Sequence, residues 1–198
     1  PFAKKDGWVE RRVGLDEEHR LCFLRIDVPA PTILTDRLPK GAGDARKDDL
    51  IETCPAVAQI VDILSQRFAD HPGRALFIDY GPGDTEFGDT LQALKRHEKV
   101  GVFSDPGNTD LTARVDFAAL SETAQAAGLD TTATVTQREF LSKLGIEMRA
   151  VSLTKSKPDA KAMIARQLHR LMADDEMGEL FKAICLSSSD LPIPLGLR

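Results

Sequence analysis

The sequence predicts an α/β fold, and three features carry that prediction. An amphipathic helix runs straight into a short apolar strand, further amphipathic helices follow, and a late apolar run closes the series. The first pairing is the most informative. Thr53, Cys54 and Pro55 mark a helix start, with proline near the first helical position, where its missing N–H is not needed. Val57, Ile60, Val61, Leu64 and Phe68 then recur at three- and four-residue steps as one apolar stripe. His71-Pro72-Gly73 stops the helix, and ALFIDYG begins at once as a buried strand ending in an acid and a glycine. Helix, tight turn and buried strand form the repeating unit of a parallel α/β sheet.

Taken in order, the chain opens with two β-leaning runs around a charged turn. WVERRVGL carries Trp8 and Val13, DEEHR turns, and LCFLRIDV carries Leu21, Phe23, Ile26 and Val28, which reads as a hairpin. Pro29, Pro31, Pro39 and Gly41–Gly43 break the chain into an irregular connection. Beyond ALFID, Asp89–His97 reads as a short helix and Val100–Phe103 as an extended stretch. Asp116 caps a helix running through Ala127, with Phe117, Leu120 and Ala124 inward and Gly128 ending it. TTATV reads as a strand, Gln137–Leu144 as a helix ending at Gly145, and Pro158–Met172 as a long amphipathic helix using Met163, Ile164, Leu168 and Leu171. Leu180–Leu186 is a late strand, and the LPIPLGLR tail has no period.

Composition narrows the function. With 42% hydrophobic and 29% charged residues among 198, the chain suits one domain with a real core. No apolar run approaches the ~20 residues of a membrane span. A net charge of −5 gives the molecule as a whole no pull toward nucleic acid or membrane. The pairs Lys4–Lys5 and Arg11–Arg12 read as solvated surface, and the acidic balance would suit a basic protein partner. Cys22, Cys54 and Cys185 form no CxxC pair, and His19, His71, His97 and His169 no cluster, so there is no metal signal and the thiols read as free in a reducing compartment. The opening on Pro1 predicts an internal start in a longer polypeptide, with any targeting signal upstream.

ALFIDYGPGD is the most chemical-looking stretch. Gly81 and Gly83 after a strand resemble a cofactor loop, and Asp105, 26 residues after Asp79, stands where a ribose-binding acid belongs. Against this, Pro82 removes a backbone donor, and few strand–helix units follow. A strand-end turn is the preferred reading; a chain that binds its cofactor alone through Gly81 and Gly83 is the alternative.

The blocks Asp79-Tyr80-Gly81, Asp110-Leu111-Thr112-Ala113, Val115-Asp116-Phe117, Gln137, Phe140-Leu141, Gly145-Ile146 and Met177-Gly178-Glu179 occur in order through nearly the whole chain. Together they resemble the MidA-like protein-arginine methyltransferases, whose mitochondrial members assist complex I assembly. The resemblance implies the C-terminal part of a class I, Rossmann-like, S-adenosylmethionine-dependent methyltransferase sheet carrying an inserted β-hairpin. It divides the chain into 1–52, the hairpin and irregular connection, and 53–198, the C-terminal half of the methyltransferase domain. ALFID becomes a late strand of the parallel sheet, with TTATV and LFKAICL as the terminal strands. The S-adenosyl-L-methionine site would lie mainly in upstream sequence, so the chain alone would be inactive, and no metal is implied. The implied substrate is a protein arginine, with a complex I subunit as candidate, in a bacterial cytoplasm or a mitochondrial matrix. The alternative is a non-catalytic assembly module for a respiratory complex.

Within that frame Asp79 and Tyr80 stand at a strand's carboxyl end, where open sheets bind ligands. Asp79 and Asp116 are the candidate carboxylates to orient a guanidinium, with Tyr80 beside them. The competing reading of Asp116 is a helix cap, and that of Tyr80 a packed side chain. Asp110 and Thr112 are candidate peptide contacts in a loop, or else members of a hydrogen-bonded turn. His97 reads as a cation at a helix end.

Overall fold

The late strand organises the fold. The computed structural model describes every residue except Lys5, Asp6 and Arg37, and for Asp27, Val28, Thr32 and Ile33 only the backbone. The expectations for Lys5 and for the Val28 side chain therefore fall outside the described residues. The chain forms two compact units, Pro1–Ala56 with Thr85–Arg114, and Val57–Asp84 with Val115–Arg198. This differs from a division at 52/53, because residues 85–114 pack with the N-terminal segment.

In the first unit β1 (Phe2–Lys4), β2 (Gly7–Leu15) and β3 (Leu21–Pro29) form an antiparallel sheet in that order, so the expected hairpin is present with one extra strand. The short helix α1 (Thr32–Thr35) follows. The helix expected over Asp89–His97 is instead a hairpin. After β4 (Arg74–Tyr80), which belongs to the second unit, come β5 (Gln92–Lys95), β6 (Glu98–Val100) and β7 (Asp110–Thr112), ordered β6-β5-β7. Arg96 and His97 sit in the left-handed region, with φ of 53° and 68°, which makes the tight reversal between β5 and β6. His97 thus occupies a turn and not a helix end. The extended stretch stops at Val100, and Asp110–Thr112 is a strand and not a loop.

In the second unit, α2 (Pro55–Asp70) starts on its proline as expected, and buries Ala58, Val61 and Phe68. Ile60, placed in the same stripe, is 46% exposed. Then come α3 (Phe117–Ala126), β8 (Asp130–Thr131), β9 (Val135–Thr136), α4 (Gln137–Lys143), α5 (Ile146–Ser156), α6 (Lys161–Met172), α7 (Met177–Leu180) and β10 (Phe181–Ser187). β10 lies between β4 and β8, with β9 also pairing to it, and every one of these pairings is antiparallel. The expectation that ALFID has parallel neighbours is therefore corrected for the described strands. The physical reason lies in the connections. A β4–α3–β8 crossover sets two strands running the same way with a gap between them, and the returning β10 fills the gap in the opposite sense.

Four consecutive residues of β10, Ala183–Leu186, are buried, as in a strand covered on both faces. Ile184 and Leu186 pack with Val61, Phe68, Phe117, Leu120 and Ala124 from α2 and α3. Ala183 and Cys185 pack with Phe140 of α4 and Leu197 of the tail. Helices on both faces of one sheet make a layered α/β domain. TTATV is split into two short strands because Thr132 turns inward, its Oγ1 accepting from the Cys185 N–H at 3.1 Å. The expected helix over 158–172 opens as a 3₁₀ turn, Pro158–Ala160, before α6. α5 was not expected at all.

Four carboxylates of the first unit are held below their ordinary range by hydrogen bonds and neighbouring cations. The Asp16 carboxyl is held below the ordinary range chiefly by the Arg20 backbone N–H, Asp48 by Arg25, Asp89 by Arg11, and Asp105 by Lys95 and then Asn108. A depressed folded pKa stabilises fully above the unfolded value of about 3.9, and that stability is lost as pH falls through the folded values. Amide exchange should therefore show β2 and β3 losing protection below about pH 4, before β10. Simultaneous loss in all three strands would contradict this.

Candidate active site

The chain leaves the sheet at the C-terminal end of β4. Asp79 is exposed, and its Oδ1 accepts from the Tyr80 N–H at 2.8 Å, which fixes the carboxylate over its own backbone. Tyr80 is half-buried, its ring edge-on to Phe181 with centroids 5.7 Å apart. The Tyr80 carbonyl accepts from the Val115 N–H at 3.1 Å, and the Gly81 N–H donates to the Leu180 carbonyl at 3.2 Å. These bonds bring the Val115–Asp116 segment to the strand end. Asp116 caps α3 there, its carboxylate accepting from the Ala119 N–H at 2.8 Å. Asp79, Tyr80 and Asp116 thus share one end of one sheet.

Gly81 is explained by its own chain. A Cβ built on it would lie 2.0 Å from the Val115 carbonyl oxygen, whereas one on Gly83 would meet nothing within 4 Å. Asp105, the acid considered for a ribose, belongs to the first unit and is bonded to Lys95 and Asn108. The Gly81 N–H and the Tyr80 carbonyl are thus both engaged by the chain's own backbone.

Beside this turn lies a groove of about 560 Å³, lined by Gly83, Asp84, Ser121, Glu122, Gln125 and Thr131 among others. Its wall is prearranged: the Ser121 and Thr131 hydroxyls are 3.1 Å apart, and Gln125 Nε2 donates to Thr131 at 2.8 Å. Apart from Gly83, no groove residue named above carries a functional expectation from the sequence. The available signal was Ser121 and Gln125, one turn apart beside the buried Leu120–Ala124 stripe.

Asp110 and Thr112 lie in the first unit, on β7, in register with Leu94 and Gln92. That unit has its own recess of about 460 Å³, lined in part by Glu86, Phe87, Asp89, Thr90, Lys99 and Arg114. Thr90 anchors it. Its hydroxyl bonds to the Glu52 carboxylate and accepts from the Arg114 N–H at 2.9 Å, while its own N–H donates to Glu52 at 3.1 Å. Arg11 grips Asp89 through two bonds of 2.5 and 3.0 Å and stacks 4.0 Å above the Phe23 ring. Among the described residues no three His, Cys, Asp or Glu side chains come together to hold a metal.

Residues 2–135 match the family described as "Putative S-adenosyl-L-methionine-dependent methyltransferase". The chain belongs to this methyltransferase family. Mitochondrial protein arginine methyltransferase NDUFAF7 of Mus musculus is 39% identical over 182 residues, covering 91% of this chain and 40% of the relative. The Xenopus laevis protein of that name is 32% identical over 189 residues, covering 90% and 40%. Among solved structures, a Burkholderia thailandensis protein bound to S-adenosyl-homocysteine superposes with a TM-score of 0.80 at 28% identity, covering 99% of this chain and 51% of that one. The family is thus MidA-like, and the fold is the Rossmann-like methyltransferase fold. The chain spans about 40% of the length of the curated relatives it matches. Relatives occur both in mitochondria and in a bacterium. No helix of the described residues is long and apolar enough to cross a membrane.

Proposed function

We propose that this chain is the substrate-side portion of an S-adenosyl-L-methionine-dependent protein-arginine methyltransferase, whose cofactor site is built mainly by sequence preceding it. The observation that carries this reading is the end of β4. There Gly81 is closed in by the Val115 backbone, while a carboxylate, a tyrosine and a polar groove are left at the mouth of the sheet. A second observation supports it. Among the described strands β4 pairs only with β10, and its Leu76 and Ile78 are 51% and 44% exposed, as expected of an edge that further strands of the intact protein cover.

In this reading Asp79 orients the substrate guanidinium and offsets its charge, Tyr80 walls the approach, and Asp116 sets the position of α3 through its cap. A planar guanidinium held by a carboxylate presents one nitrogen in a fixed direction, which a transfer reaction requires. Asp110 and Thr112 contact the substrate polypeptide, for which a complex I subunit is the candidate. The compartment follows the source: the matrix for a mitochondrial enzyme, the cytoplasm for a bacterial one.

Two measurements test this. By calorimetry the full-length protein should bind S-adenosylmethionine with micromolar affinity, and the 198-residue chain should show no binding heat. In a radiolabel assay the full-length protein should methylate arginine in a protein substrate. Micromolar binding by the 198-residue chain would return the cofactor site to Gly81–Gly83. A folded, cofactor-binding full-length protein with no arginine transfer would favour the assembly-module reading.

A further inference from the structure

The net charge of −5 conceals a strong local asymmetry. Residues 143–172, which hold α5 and α6, carry seven Lys or Arg and two acids, net +5, so the rest of the chain carries −10. Arg149, Lys155, Lys157, Lys161, Arg166 and Arg170 are all exposed, and none makes an ion pair within 4 Å among the described residues. Several cations elsewhere are held by acids: Arg11 by Asp89, Arg25 by Asp48, Lys95 by Asp105, and Arg138 by Asp174 and Glu179.

Exposed apolar side chains are interleaved with these cations. Met148 is 78% exposed, Val151 55% and Met163 48%. On α5 the outward series is Met148, Val151, Lys155, and on α6 it is Met163, Arg166, Arg170, both at steps of three and four. Each helix therefore points one mixed apolar and cationic stripe outward, while Ile164 is turned inward. α5 buries no residue at all, which is unusual for an eleven-residue helix kept only for packing.

We propose that α5 and α6 form a docking surface for an anionic lipid bilayer, lying on the headgroups without spanning them. Cations at the rim meet lipid phosphates, while flexible Met and Val side chains enter the boundary between headgroup and acyl chain. Salt restricts electrostatic reach to about 8 Å, so distant acids do not cancel the +5 of this face, and the opposing charge nearest to it, Asp174, Asp175 and Glu176, is confined to the C-terminal end of α6. Neither helix carries Phe, Trp or Tyr to stack on bases, which disfavours single-stranded nucleic acid.

The test is co-sedimentation of the full-length protein with phosphatidylcholine vesicles, with and without phosphatidylglycerol, at low and at physiological salt. The wild type should pellet only with the anionic vesicles. Because each basic residue strengthens partitioning by about fivefold, Lys155→Glu/Arg166→Glu/Arg170→Glu should weaken it by roughly 100-fold. Met148→Ser/Val151→Ser/Met163→Ser should still pellet at low salt, and lose about tenfold at physiological salt. All six positions are exposed, so thermal melts should match the wild type. A wild type that stays with the supernatant, or a charge-reversed protein that pellets equally well, overturns the proposal. So does retention on immobilised polyglutamate without vesicle binding, which would identify an acidic protein partner. Methyl transfer is not read in this assay, so its outcome is independent of the proposed activity.

Discussion

Gly81→Ala should destabilise the intact protein by about 3 kcal/mol or more, while Gly83→Ala, two residues away, should change stability by less than about 0.5 kcal/mol. The added methyl at position 81 would lie 2.0 Å from the carbonyl oxygen of Val115 and 2.9 Å from its nitrogen. Both are backbone atoms, so no rotamer change relieves the clash. Either the Tyr80–Val115 hydrogen bond breaks or the start of α3 moves, and the residue two positions beyond Val115 is Phe117, which is fully buried. Shifting that ring disturbs the cluster it shares with Ile184 and Leu186. Position 83 has open space and no left-handed backbone requirement. Denaturant midpoints of the two variants, read at equal slope, give the comparison. Equal midpoints would mean that the close approach at Gly81 is not part of the folded protein.

The parts of the fold that were legible are those whose burial pattern is local. The Val61–Phe68 spacing, the Asp116 cap and the apolar run at 183–186 each record one element's own environment, and each appears where it was read. The hairpin at 92–100 was not legible, because Gln92, Leu94 and Lys95 suit a helix and Arg96-His97 lacks the Asn or Gly that usually marks such a turn. Its strand character comes from β7, about 18 residues downstream, through pairing that no local window contains. α5 was hidden for the opposite reason. Gly145 suggests a helix stop, but at φ 80° it is a left-handed joint between two helices. The helix beyond it turns Met148 and Val151 outward, so it has no inward stripe to detect. The same feature makes α5 hard to read and supports its role as a surface.

The candidate site divides the same way. Asp79 and Tyr80 were visible because a strand end is visible. The groove wall of Ser121, Gln125 and Thr131 joins α3 to β8, whose Thr131 is in register with Leu186 of β10. A family likeness across nearly the whole chain placed the strand as a late one, and the antiparallel β10 beside it is what the parallel α/β pattern alone could not anticipate.

Asp79→Asn in the full-length protein should lower methyl transfer about 100-fold and leave the fold unchanged. The exchange keeps shape and keeps an oxygen that can accept the Tyr80 N–H, so the 2.8 Å bond that sets the side chain survives. What is removed is the negative charge, and with it the paired, charge-assisted hydrogen bonds a guanidinium makes to a carboxylate. If Asp79 acts on the substrate, the loss appears in kcat/KM for an arginine protein, while S-adenosylmethionine affinity by calorimetry and the thermal midpoint stay at wild-type values. Asp79→Glu, which restores charge at a longer reach, should recover part of the rate. A merely structural role would move the thermal midpoint and gain nothing from the glutamate. Normal transfer by a folded Asp79→Asn protein would remove this carboxylate from the reaction and leave Asp116, already committed to capping α3, as the other carboxylate predicted from the sequence.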